Sequence, residues 1–235
     1  MPALLAAPLL LASAFALQPT GEFHAGEAVA RDGETWLALR IDAPAAALTT
    51  VTVRAEPWHD VVLDEENEKS GVRISVVEPG AAPLVLLRGD GLSAGAVEQA
   101  QTQRDIDAAG SPSLLPHYRI LFRDQQYRIH TACSQIGASA AVPAKLICNI
   151  VLHTPQGAQT LARMPASSTD GTWQLGDDAA PELLFAGDLD RDGRLDLLFN
   201  LTDHYNLSRT VLLLSSAARG GDAVAEVARF ESVGC

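Results

Sequence analysis

Residues 182–200 read ELLFAGDLDRDGRLDLLFN. Four aspartates crowd into nine positions between two apolar runs. Each run is of strand length and apolar at consecutive positions, without the 3.6-residue period of a long amphipathic helix. The segment therefore predicts strand, tight loop, strand. Working outward, short apolar or alternating runs recur between turn residues. EAVARDGETWLALRI predicts a hairpin turning at Asp32-Gly33. LTTVTVRAE, GVRISVVE and PLVLLRG predict strands, and HYRILFRDQQYRIHTAC predicts a hairpin turning near Asp124-Gln125. KLICNIVLHTPQGAQTLARM predicts another, turning over 154–157, before the C-terminal runs RTVLLLSS and AVAEVARFESV. About a dozen short strands with turn signals between them point to an all-β fold: an antiparallel meander, sandwich or barrel-like architecture.

The stretch 93–116 interrupts the pattern. It is rich in Ala, Gly, Ser and Gln and ends in prolines. It is expected as a linker or crossover between an N-terminal β lobe, 17–92, and a C-terminal β lobe, 117–235.

The aspartates carry the one chemical signal. Asp188, Asp190, Asp192 and Asp196 stand at loop positions 1, 3, 5 and 9, with Gly193 at position 6. Calcium takes six to eight oxygens and accepts carboxylates and main-chain carbonyls. Alternate positions of a tight loop can face one centre, position 6 needs a positive φ that glycine supplies, and position 7, Arg194, offers its carbonyl while its side chain points to solvent. Position 12 is Phe199, where an EF-hand loop needs a bidentate Glu. The chain holds its own control. Arg31-Asp32-Gly33 repeats Arg191-Asp192-Gly193, yet Ala28 and Ala30 stand where Asp188 and Asp190 do. An Asp-Gly turn alone needs no flanking acids, so the acids at 188, 190 and 196 need another reason. The competing reading is an acidic hairpin tip without an ion.

The stretch LLFAGDLDRDGRLDLLF resembles an FG-GAP/VCBS-type repeat, whose loop reads Asp-x-Asp-x-Asp-Gly-x-x-Asp between two strands. That resemblance covers about residues 182–201. It implies calcium held by Asp188, Asp190, Asp192, the main chain of Arg194, and Asp196. Such repeats usually come in several copies stacked as propeller blades, and this chain has one.

Residues 1–16, MPALLAAPLLLASAFA, carry no charged side chain, and Ala14-Phe15-Ala16 has the small-x-small form of a cleavage site. They are expected to be a signal peptide, and the protein periplasmic or secreted with no transmembrane anchor. In such a compartment a disulfide is permitted. Cys133 and Cys148 fall near the ends of neighbouring expected strands, which favours that pair, although three pairings are open with Cys235. The formal net charge of −12 repels phosphate backbones and argues against a nucleic-acid partner. The acidic run 64–68 is expected to be a solvated loop.

The six histidines form no H-E-x-x-H motif, and there is no nucleophile elbow or Walker loop. The turn Asp203-His204-Tyr205-Asn206 is a candidate ligand contact, though Asp and Asn also cap turns unaided. These readings favour a calcium-stabilised module that binds a protein or glycan. The alternative is a secreted hydrolase with calcium as stabiliser, for which His59, Asp60, Asp203 and His204 are the first suspects.

Overall fold

The computed structural model describes residues 15–106, 115–136, 145–169 and 172–234. Most of the expected leader and the terminal Cys235 lie outside them. The described residues form strands and turns with no helix. In chain order the strands are β1 (Ala16–Gln18), β2 (Gly21–Phe23), β3 (Thr35–Asp42), β4 (Ala45–Trp58), β5 (Gly71–Val76) and β6 (Val85–Arg88). Next come β7 (Gly95–Gln99), β8 (Gln101–Arg104), β9 (Tyr118–Phe122), β10 (Gln125–Ile136), β11 (Lys145–Thr154), β12 (Gly157–Thr169) and β13 (Thr172–Leu175). β14 (Glu182–Asp188), β15 (Asp196–Asn200), β16 (Leu207–Leu214) and β17 (Ala225–Val233) follow.

Two antiparallel sheets result. The larger runs β1-β6-β3-β4-β7-β14-β15-β16-β17, with β5 and β2 added along the second half of β4. It curls until its ends meet: Leu17 of β1 and Phe230 of β17 share one core, and the sheet is a nearly closed barrel. The smaller sheet, β13-β12-β11-β10-β9-β8, is a half-barrel.

The apolar runs around the aspartates follow from this packing. On β15, Leu198 faces the barrel interior with Leu39, Leu87, Phe185 and Leu212. Its neighbours Leu197 and Phe199 face the other way, against Tyr118, Ile120, Ile129 and Ile150 of the half-barrel. A strand buried on both faces reads as a continuous hydrophobic run rather than an alternating one. β9 is covered on one side only, and its residues alternate between buried and exposed.

The β9–β10 turn falls at Arg123 and Asp124, both with positive φ (47° and 62°), a pairing that suits the twist of a two-residue hairpin. β11 and β12 turn at Pro155-Gln156. The expected Asp32-Gly33 hairpin is different. A turn is there, with Gly33 at φ 77°, and β3 follows it, but residues 24–31 form no strand. The buried Gln18 explains this, because its Oε1 accepts from the backbone N–H groups of Val29 (2.7 Å) and Ala30 (3.2 Å). That side chain takes donors a strand ladder would otherwise use.

Within 93–116 the structure has β7 and β8. β7 pairs with β4 on one side and β14 on the other, which sews the N- and C-terminal strands into one sheet. After Ala100 the chain passes into β8 of the half-barrel. Both strands are short and largely polar, so neither shows a hydrophobic period.

Cys133 and Cys148 stand directly opposite each other on β10 and β11 and form a disulfide. It closes a loop of sequence separation 15. Replacing both cysteines by alanine is expected to cost about 3 kcal/mol, chiefly by freeing the unfolded chain. A urea titration checks this, and an unchanged midpoint would refute it.

Candidate metal centre

The aspartate loop joins β14 to β15. Asp188 ends one strand and Asp196 opens the other, where Gly187 pairs with Asp196. Two buried leucines pin the loop from opposite sides: Leu189 packs into the barrel interior and Leu195 into the layer between the sheets. The loop turns through positive φ at Arg191 (62°) and Gly193 (86°). Arg191 reaches outward to β7 and the segment before it. It donates from Nη1 to Ser93 Oγ (2.6 Å), from Nη2 to Ser93 O (3.0 Å) and from Nε to Ala96 O (3.1 Å). A Cβ at Gly95 would lie 2.9 Å from that guanidinium, and Gly95 also sits at φ 138°. Glycine is the residue that fits there.

The carboxylates fold the loop over themselves. Asp188 Oδ2 accepts from Gly193 N (2.9 Å), and Asp196 Oδ2 from Leu189 N (2.8 Å). Asp190 Oδ1 accepts from Asp192 N (3.3 Å). Two serines after β16 complete the wall: Ser215 gives N–H (2.8 Å) and Oγ–H (2.9 Å) to Asp196 Oδ1, and Ser216 Oγ bonds Asp190 Oδ2. Oxygens of Asp188, Asp190 and Asp196 all lie within 4.8 Å of one another.

Two of these carboxylates are held where charge is expensive. Asp196 is fully buried, and burial pushes its carboxyl up to about 7, against the hydrogen bonds from Ser215 and with the charge of Asp190 adding to the push. Asp188 is 3% exposed, and burial raises its carboxyl too, opposed by the Gly193 bond. Its Oδ1 is buried and has no hydrogen-bond partner among the described residues. A buried, unpartnered carboxylate oxygen beside two other carboxylates is costly unless a cation completes it.

Arg123, from the β9–β10 turn, supplies part of the missing positive charge. It donates from Nη1 to Gly193 O (3.0 Å) and lies 3.3 Å from Asp188 Oδ2, while binding Glu98 of β7 through Nε (2.7 Å). Thus the loop touches both sheets.

Of the four expected aspartate ligands, three converge. Asp192 lies outside the cluster, its carboxylate held by Arg194 (Nε 2.9 Å, Nη2 2.6 Å) and by Ser215 Oγ (3.2 Å). The Arg194 side chain is exposed, as expected, and pairs with Asp192 at the surface. Ser215, Ser216, Arg123 and Glu98 were not visible as site residues, because no local spacing links them to the loop. The pair of serines directly after the VLLL of β16 was the one available cue.

The other candidates lie elsewhere. Asp203, His204, Tyr205 and Asn206 form the turn after β15, at the far end of that strand from the aspartates. Asp203 pairs with Arg209 (2.9 Å), and His204 with Asp177 (3.1 Å). The rings of His204 and the exposed Tyr205 stack at 4.5 Å, beside a groove of about 380 Å³. His59 and Asp60 do not form a dyad. Asp60 bonds His24, while His59 Nδ1 lies 2.9 Å from Glu68 O. The His24–Asp60 pair borders a cavity of about 220 Å³ lined also by Phe23, Trp58 and Val61. The His24 ring also bonds the Val233 backbone, so it ties β17 to the barrel. Among the described residues no ion pair or hydrogen bond joins His59 or Asp60 to Asp203 or His204.

Compared with protein-family models, curated proteins and solved structures, the chain matches none.

Proposed function

We propose that this is an exported calcium-binding β protein in which the ion is structural, and that it serves as a binding or surface-interaction module for a protein or glycan. The observation that carries the metal reading is Asp188 Oδ1, buried without a partner and facing two further carboxylates. Every donor in the cluster is a hard oxygen, which favours calcium or magnesium over zinc or copper. Magnesium demands a near-ideal octahedron and keeps its waters, so a buried carboxylate nest suits calcium better. Asp188, Asp190 and Asp196 would hold the ion. Asp192 and the Arg194 carbonyl are the additional ligands implied by the likeness of the loop to an FG-GAP/VCBS-type repeat. Bound there, calcium neutralises the carboxylates and fixes the β14–β15 hairpin. The leader-like residues 1–16 support export, as does the Cys133–Cys148 disulfide, which persists in oxidising compartments.

Calorimetric titration with calcium tests the reading. The intact chain is expected to bind one ion, and Asp190→Ala to bind it at least tenfold more weakly. Calcium at about a hundred times Kd should add about 2.7 kcal/mol and raise Tm by roughly 5–10 °C. If millimolar calcium gives neither heat nor a Tm shift, the loop is an acidic turn and the reading fails.

A further inference from the structure

The outer face of the half-barrel carries a row of basic side chains in register. Arg119 of β9 stands opposite Arg128 of β10, and Arg128 stands opposite His153 of β11. On the other flank, Gln103 of β8 stands opposite Arg119. Because side chains alternate along a strand, His130 shares the face of Arg128. Its ring lies 4.6 Å from that of His153 and 6.4 Å from that of His117. The reverse face of these strands is the apolar layer against the barrel.

A groove of about 710 Å³ runs over this row, lined also by Gln101 and Gln126, and among the described residues no carboxylate lines it. That departs from the rest of the molecule, which has 29 acidic residues against 17 Lys and Arg. Like charges directly opposite on neighbouring strands repel. Arg119 is partly neutralised by Asp105, 3.3 Å away beside the groove. The Arg128 guanidinium has no ion pair or hydrogen bond among the described residues, and neither do the side-chain amides of Gln101, Gln103 and Gln126.

We propose that this groove binds an acidic glycan, a linear sugar chain bearing carboxylates. A free guanidinium matches a carboxylate with two parallel hydrogen bonds. The row of amides supplies both donors and acceptors for sugar hydroxyls. A polyphosphate offers the amides no hydroxyls, whereas each sugar residue offers several, so the sugar chain is favoured. The site shares no residue with the aspartate cluster, so it stands or falls independently of calcium.

The test is calorimetry with a short oligogalacturonate, its fully methyl-esterified form, and a single-stranded oligonucleotide of equal length. The acidic sugar should bind at about 50 mM salt, and at least tenfold more weakly at about 500 mM. Arg128→Ala should weaken it roughly tenfold or more, and Arg128→Lys should recover part of the loss. The ester should not bind. Arg128 is exposed, and an unchanged melting temperature would show that its variants fold. No binding of the acidic sugar, equal binding of the ester, tighter binding of the oligonucleotide, or full affinity in Arg128→Ala would each overturn the proposal.

Discussion

With no metal bound, Asp196 alone is expected to remove about 4 kcal/mol of stability as pH rises from about 4 to about 7, because burial raises its carboxyl from the ordinary value of 3.8 to about 7. The sign is opposite to that of most aspartates. Between about pH 4 and 7 the folded chain keeps the Asp196 proton while the unfolded chain has released it. Folding then takes up a proton, and stability falls as pH rises through this window. Asp188, also raised by burial, adds to the fall. Several other carboxylates work the other way. Asp60, Asp64 and Glu98 are lowered by hydrogen bonds from His24, Ser70 and Arg123, and their contribution is lost as the medium becomes acid. His24, raised by its bond to Asp60, contributes stability that is lost above its ordinary value of 6.5. The difference between the intact chain and Asp196→Asn isolates the group of interest. Urea unfolding of metal-free protein at a series of pH values should show a falling profile that Asp196→Asn flattens. Millimolar calcium should flatten it too, because the ion favours the ionised carboxylate. A metal-free profile of the same slope in Asp196→Asn would refute this account of the site.

Phe199→Ala is expected to cost about 3–5 kcal/mol, a Tm drop of roughly 8–16 °C. Phe199 is fully buried on β15 and meets the ring of Tyr118 edge to face at 6.4 Å. Tyr118 belongs to the half-barrel, so the truncation opens a void in the layer that joins the two sheets. Leu121→Ala on the outer face of β9, where the side chain is 40% exposed, should shift stability by no more than about 0.5 kcal/mol. Differential scanning calorimetry of the two variants makes the comparison. Similar melting temperatures would mean that the layer contributes far less than its burial implies.

The parts of the fold that were legible in the sequence owe it to local chemistry. The β9–β10 and β11–β12 hairpins announce themselves through alternation and turn residues, and the β14–β15 pair through its runs on either side of a glycine-bearing loop. What stayed hidden depends on distant groups. Gln18 converts an expected strand into an irregular segment by capturing the Val29 and Ala30 amides. β7 is short and polar, yet it holds the barrel together because two strands far apart in sequence pair with it. At the site, Asp188, Asp190 and Asp196 could be read from spacing. The diversion of Asp192 to Arg194, the serines behind the cluster and the reach of Arg123 could not, because each is set by tertiary packing.

The two-sided burial of β14, β15 and β16 has a consequence before folding is complete. ELLFAG, DLLFN and TVLLLSS are flat, apolar and rich in strand-forming residues, the composition that drives unfolded chains to associate. An unfolded chain exposes all three at once. The aspartates interrupt the first two of these runs with a block of like charge, so that unfolded copies repel where they would otherwise zip together. The charge concentration that is costly in the folded, metal-free state would thus act as a gatekeeper before folding, and a bound cation would relieve it once the barrel has closed.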